Sequence, residues 1–191
     1  MVKVGAVCGR FQIFHSDHLR YVLAAKEHCE HLIVGITSPD SSVSPMEQAD
    51  PNRGKTEANP CTYYERMKMV EAVLLEAGVA RKDFDIVPFP IGRPELLRFY
   101  IPDGTHIYVT ILDEWGRCKT DRLANFGYRV EVLWEKKEKL ISSSMIRKCI
   151  LEGRAWHQYV PEATWRYVTD HGIDQRIKGY GQTRIEFTHD I

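Results

Sequence analysis

A chain of 191 residues can bury a full core without disulfide or metal staples, and it reads as one domain. Lysine plus arginine and aspartate plus glutamate balance at 26 each, which excludes a global field for nucleic acid or an anionic membrane and makes any anion site local. The five cysteines are odd in number and show no CxxC spacing, which argues against a disulfide framework or a zinc site and for a reducing compartment. The chain has no apolar run of about 18 residues and no signal-peptide layout at its start, so the expected location is cytoplasmic, with no membrane partner.

In chain order, Val2–Val7 reads as a short strand and Leu19–Cys29 as an amphipathic helix. His31–Thr37 is a second apolar run. Residues Ser38 to Pro60 are rich in Ser, Pro, Asp and Asn, and that length without periodicity predicts a functional loop or lid. Thr62 followed three residues later by Glu65 is a capping box, which predicts a helix over Met67–Ala77 that ends at Gly78. Phe84–Phe89 is a third strand, Arg93–Tyr100 a short helix and His106–Leu112 a fourth strand. Lys119–Phe126 is a helix stopped by Gly127, Arg129–Leu133 a fifth strand and Ser142–Leu151 a helix followed by Gly153. Pro161–His171 is a further helix, with proline near its first turn. A domain over residues 1–178 and a loosely attached tail over 179–191 follow, with Thr183–Thr188 a candidate edge strand. Strands that alternate with helices predict an open parallel sheet of about five strands, Rossmann-like, with helices on both faces and ligand bound beyond the strands' carboxyl ends.

Gly9-Arg10-Phe11-Gln12-Ile13-Phe14-His15-Ser16-Asp17-His18 lies where that rule puts a site, between the first strand and the first helix. A glycine turn with two histidines three apart at a helix start suits phosphate: free N–H groups and the positive dipole end face the ligand, and imidazoles donate to phosphoryl oxygens. Ordinary surface or capping histidines are the plainer alternative. Ile141-Ser142-Ser143-Ser144-Met145-Ile146-Arg147 repeats the theme with three hydroxyls at a helix start and an arginine one turn in. One serine would suffice for a cap. Gly54-Lys55-Thr56 imitates the end of a P-loop, but Ala49 stands where that motif needs glycine and no strand precedes it, so that reading is rejected. Asp113-Glu114-Trp115-Gly116-Arg117 follows the fourth strand and reads as a site loop or a plain turn.

Together these segments resemble the nucleotidylyltransferase superfamily that carries HxGH and ISSTxxR signatures. GRFQ-x-FH-x-x-H resembles the first signature and ISSSMIR the second, and Asn59-Pro60-Cys61-Thr62-Tyr63-Tyr64-Glu65-Arg66 is similar to the NPFT-x-x-ER segment of the archaeal-type nicotinamide-mononucleotide adenylyltransferases. Leu151 to Pro161 resembles the carboxyl-terminal segment of that branch. The resemblance covers residues 2 to 178. It implies attack of a phosphate or phosphonate oxygen on the α-phosphorus of a nucleoside triphosphate, with release of pyrophosphate and no covalent enzyme intermediate. His15, His18 and Arg147 would be catalytic. Gly9, Arg10, Phe11, Ser142, Ser143, Ser144, Arg147, Asp113 and Trp115 would form the nucleotide side, and Gln12, Arg53, Lys55, Arg93 and Leu97 the acceptor side. Mg²⁺ would bridge phosphate oxygens and need few protein ligands, so no residue is assigned to a metal.

Two departures shape the expectation. Asp17 replaces the glycine of HxGH, and a carboxylate there would repel phosphate unless turned away or bound to Mg²⁺. Leu97 aligns with a tryptophan that stacks on nicotinamide in the archaeal-type enzymes, and an aliphatic side chain cannot stack equivalently. The long Ser38–Pro60 loop, TYYER and DEWGR resemble instead the cytidylyltransferase domains of phosphonate pathways, which couple CMP to a small phosphonate. The expected substrates are therefore CTP and a small phosphonate or phosphate-monoester acceptor. ATP with nicotinamide mononucleotide is the alternative, a nucleotide-binding sensor marked by Asp17 another, and a class I synthetase-like adenylating domain a third. Nucleic acid is not an expected partner, and a homo-oligomer stays open.

Overall fold

The computed structural model describes residues 1–39, 55–135 and 141–186, with side chains through Tyr180. Five strands form one sheet: β1 (Val2–Gly9), β2 (Cys29–Ile36), β3 (Phe84–Pro88), β4 (His106–Ile111) and β5 (Arg129–Glu135). Every pairing is parallel and the order is β3-β2-β1-β4-β5. The chain winds outward from β1 to β3, then crosses back to β4 beside β1. That reversal is the topological switch point of a Rossmann-like sheet, and it places the end of β1 at the crevice.

Alternation along β1 divides the core. Val7 faces one layer with Leu32, Val34, Ile36 and Tyr108, while Ala6 and Cys8 face the other with Ile33, Ile107 and Val109. The first layer is covered by α1 (Ser16–Lys26), α2 (Tyr63–Glu76), α4 (Ser143–Leu151), α5 (Glu162–Asp170) and the start of α6 (Ile173–Glu186). The second is covered by α3 (Glu114–Asn125) and by the Phe89–Ile101 segment, which includes a 3₁₀ turn over Pro94–Phe99. Helices thus lie on both faces, unequally. In α2 the apolar positions Met69, Val70, Val73 and Leu74 are no more than 1% exposed, and burying each such side chain contributes about 1.5–3 kcal/mol.

The capping box forms as the sequence dictates. Thr62 Oγ1 accepts from Glu65 N at 3.2 Å and Glu65 Oε2 accepts from Thr62 N at 2.7 Å. Gly78 follows at φ +83°, where a Cβ would be strained. Two elements differ from their sequence reading. The helix expected over Lys119–Phe126 starts at Glu114, because Asp113 caps it through Gly116 N at 2.8 Å, so DEWGR is a helix start and not a loop. The strand candidate at Thr183–Thr188 is helical as far as Glu186: α6 docks Ile173 and Ile177 into the core, and the helix propagates through Gly179 and Gly181. The interior of the Ser38–Pro60 loop, residues 40–54, lies outside the described residues, as does Arg53. Among the described residues no helix is long and apolar enough to cross a membrane.

Gly35, in the middle of β2, lies against the Phe89 ring, and a Cβ there would overlap ring carbons. Gly35→Ala is expected to cost roughly 1–3 kcal/mol by overpacking, read as a lower urea midpoint at unchanged slope.

Candidate active site

The segment that joins β1 to α1 has no ladder to hold it, so side chains shape it. Phe11 adopts φ +55° and its ring turns back under Gly9, where a Cβ would come within 2.6 Å of the ring. The glycine of the signature is thus required by an aromatic ring as well as by any ligand. His15 is the N-cap residue of α1 and its backbone N–H donates to His18 Nδ1 at 3.3 Å. An imidazole that accepts at Nδ1 carries its proton on Nε2. His18 is clamped in that orientation. His15 stacks on it at 3.6 Å between centroids, Phe11 meets it edge-on at 5.1 Å and Phe14 packs at 5.4 Å. His15 is buried and His18 half-buried. The pair therefore offers a fixed Nε2–H donor at the positive end of an eleven-residue helix.

A second helix start meets the same segment. Ser142 caps α4 by accepting from Met145 N at 3.2 Å. Ser143 Oγ donates to Ile13 O at 2.8 Å. Arg147 donates from Nη1 to Gln12 O and from Nη2 to Ser144 Oγ at 3.1 Å. Asp17, in the first turn of α1, turns its carboxylate onto this neighbour: Oδ2 accepts from Ile141 N at 3.3 Å. Of the three serines, Ser144 is the exposed one.

Gln12 is 2% exposed and its amide is bound at both ends, accepting from Cys61 N at 2.8 Å and donating to Cys61 O at 2.9 Å. It joins the segment to the start of α2 as one rung of a ladder would. Arg66, a residue that sequence reasoning gave no individual role, is 3% exposed and stitches the same region. It donates to Thr62 O at 3.2 Å, Arg10 O at 3.0 Å, Thr37 O at 2.8 Å and Ser38 O at 2.8 Å. Burial lowers its guanidinium to about 10, lowers that of Arg147, and pushes the Cys61 thiol up to about 12. Among the described residues neither Arg66 nor Arg147 pairs with a carboxylate; both are capped by carbonyl and hydroxyl oxygens. Among the described residues these two buried cations beside Gln12 have no counter-ion, and the field there favours an anion.

Beside Gln12 opens a cleft of about 450 Å³ between the end of β2, the start of α2 and α6. Ser38, Cys61, Thr62, Arg66, Arg176 and Tyr180 line part of it. Arg176 closes one wall, paired bidentately with Glu65 at 2.8 and 2.9 Å and donating to Pro60 O at 2.7 Å. Nothing in the sequence signalled Arg176, because it lies after the last helix expected there, Pro161–His171, in a stretch given no element.

Of the residues singled out from sequence, His15, His18, Gln12, Ser142, Ser143, Ser144 and Arg147 converge with Gly9 and Phe11. Arg10 contributes its carbonyl to Arg66. Others stand elsewhere. Leu97 is fully buried in the second core layer, against Phe89, Ile91 and Ile101, and cannot line a cleft. Arg93 is exposed and pairs with Glu95 at 3.3 Å. Asp113 is spent on capping α3, and Trp115 packs partly buried against the second layer. Lys55 is exposed at the start of a 3₁₀ turn.

A family model described as cytidylyltransferase-like matches residues 6–149, which takes in both helix starts, the second half of β1 and all of β2 to β5. The chain belongs to the cytidylyltransferase-like family. Among curated relatives, a phosphonoformate cytidylyltransferase of Streptomyces viridochromogenes is 47% identical over 174 residues, covering 91% of this chain and 95% of its own length. A nicotinamide-nucleotide adenylyltransferase of Thermococcus kodakarensis is 27% identical over 180 residues, covering 93% and 88%. Among solved structures, a bifunctional NMN adenylyltransferase/ADP ribose pyrophosphatase of Francisella tularensis superposes with a TM-score of 0.66 at 16% identity. It covers 99% of this chain, which spans 55% of that protein's length, and at that identity it speaks for the fold alone.

The Glu65–Arg176 pair makes this cytidylyltransferase-like fold sensitive to acid. Hydrogen bonds from Arg176 hold the Glu65 carboxyl below the usual range. Its contribution is therefore complete above its unfolded value of about 4.3 and is lost as pH falls through the lower folded value. Arg176→Met should shrink the Tm drop between about pH 6 and pH 3 relative to the parent, as followed by circular dichroism.

Proposed function

We propose that this protein is a cytidylyltransferase that transfers CMP from CTP to a small phosphonate and releases pyrophosphate. The observation that carries the reading is the convergence of two helix starts, each with a preset donor, on one short segment: His18 Nε2–H from α1, and the serine hydroxyls and Arg147 from α4. A phosphonate oxygen attacks the α-phosphorus, the bond to the bridging oxygen of the β-phosphate breaks, and the electron pair leaves with pyrophosphate. No protein nucleophile is needed, and the protein's task is to position the reactants and stabilise charge. His18 stabilises the charge that grows on the α-phosphoryl oxygens, with His15 stacked behind it. Ser142, Ser144 and the α4 start take the outer phosphates, Ser143 holds the segment through Ile13 O, and Arg147 supplies positive charge from beneath.

The acceptor enters the cleft beside Gln12. Its volume suits a small molecule, and the buried Arg66 charge favours an anionic one. The relative at 47% identity, named a phosphonoformate cytidylyltransferase, supports CTP and a phosphonate over ATP and nicotinamide mononucleotide. The burial of Leu97 supports the same choice, since no aromatic plane is offered at that position. The donors around the segment are imidazole, hydroxyl, amide and guanidinium, a set that suits phosphate oxygens. Among the described residues no group of three or more His, Cys, Asp or Glu side chains gathers to hold an ion. Mg²⁺ would enter on the triphosphate, held by its phosphate oxygens. The five cysteines are free thiols and four are buried, which suits a reducing cytoplasm.

Pyrophosphate release with Mg²⁺ should be seen with CTP and a phosphonate such as phosphonoformate or 2-hydroxyethylphosphonate. Release with ATP and nicotinamide mononucleotide, and none with CTP, would overturn the assignment. His18→Ala should lower kcat by about 10²–10³-fold and change KM for CTP by less than about threefold, because its donor bond strengthens in the transition state. An unchanged kcat would remove His18 from the chemistry.

A further inference from the structure

We propose that Asp17 is a positioning residue: its carboxylate, by holding the Ile141 N–H, sets where the serine-bearing start of α4 stands relative to the histidines, and so sets the affinity for the triphosphate. This rests on the reading of the two helix starts as the triphosphate site.

Three hydrogen bonds tie the segment 12–17 to α4. Two run from α4 to the segment, from Arg147 to Gln12 O and from Ser143 to Ile13 O. Both end on carbonyls of one dipeptide and hold α4 from within the helix, and neither reaches the residue that leads into the Ser142 cap. The third has the same sense but lies apart from them, and its acceptor is a side chain: Asp17 Oδ2 accepts from Ile141 N, the residue just before the Ser142 cap. It fixes the residue that leads into the serines. A side chain without an oxygen at this position cannot make that bond. The arrangement also answers the electrostatic objection to a carboxylate in a phosphate site. The charge is spent on a backbone amide between two positive helix ends, where it offsets their mutual repulsion, rather than facing the phosphates.

The test compares Asp17→Ala and Asp17→Asn in the full chain. Asparagine keeps an acceptor oxygen in the same place and discards the charge. With Asp17→Ala the Ile141 amide should lose hydrogen-exchange protection, and KM for CTP and the calorimetric Kd for CTP should rise about tenfold, the factor that matches about 1.4 kcal/mol. Its kcat should stay within about twofold of the parent, and Asp17→Asn should restore protection, KM and Kd to within about twofold, with an unchanged Mg²⁺ requirement in both variants. Faster turnover or tighter CTP binding in Asp17→Ala would show a carboxylate that obstructs the site. A raised Mg²⁺ requirement in Asp17→Asn would make it a metal ligand. Retained Ile141 protection in Asp17→Ala would show that the bond is not formed. Each of these overturns the proposal. If Asp17→Ala lowers the Tm enough to blur the kinetics, Asp17→Ser, too short to reach Ile141 yet well suited to a first helical turn, should give the same tenfold loss. Parent protein that binds no nucleoside triphosphate would refute the functional reading, and the amide-exchange comparison would still decide the bond.

Discussion

The segment from Arg10 to Phe14 has backbone carbonyls to satisfy and no strand beside it to satisfy them. Buried donors from distant parts of the chain do so. Arg66 takes Arg10 O, Arg147 takes Gln12 O and Ser143 takes Ile13 O, while the Gln12 side chain reaches out to both backbone groups of Cys61. A buried backbone group left unpaired costs about 1–3 kcal/mol, so several lost partners would rival the whole stability of a domain. The geometry of the histidines, of the α4 start and of the cleft all follow from how this one segment is pinned.

Pinning with arginine rather than with neutral donors has an electrostatic consequence. A buried guanidinium is costly, by several kcal/mol, unless its protons are bonded, and here they are bonded to oxygens that carry no full charge. Each therefore keeps its net positive charge in a low-dielectric region. An anion that enters beside Gln12 meets that field together with two helix dipoles, none of which must reorganise to receive it. Structural support and ligand attraction are thus supplied by the same groups. In a transferase whose chemistry is positioning and charge stabilisation, that economy explains why the donors sit behind the segment as well as on it.

The family relationship and the physical reading divide the question between them. Identity of 47% over nearly the full length of a phosphonoformate cytidylyltransferase speaks to substrate class. The fold, shared at 16% identity with a bifunctional NMN adenylyltransferase/ADP ribose pyrophosphatase, does not, because one fold hosts many functions. On the proposed reading, what separates them lies in side chains such as Leu97. It is a core residue here, packed under the 3₁₀ turn that follows β3, so the wall that an aromatic ring could have formed is absent at that position.

The sequence by itself determined the elements and the two signatures. Apolar periodicity marked all five strands, the Thr62–Glu65 box and Gly78 marked the bounds of α2, and the histidines and serines marked themselves by residue type at predicted helix starts. These are local properties, written within four or five residues. Only the tertiary structure decided the contacts across long separations. It turned Asp17 onto Ile141, spent Gln12 on Cys61, gave Arg66 its four carbonyls, sank Leu97 into the core and brought Arg176, from a stretch given no element, to a wall of the cleft. The physical reason is that a side chain's role depends on which unpaired polar group or apolar surface it meets. For partners more than a hundred residues away, such as Asp17 and Ile141 or Gln12 and Arg147, that meeting is set by how the sheet and its helices pack.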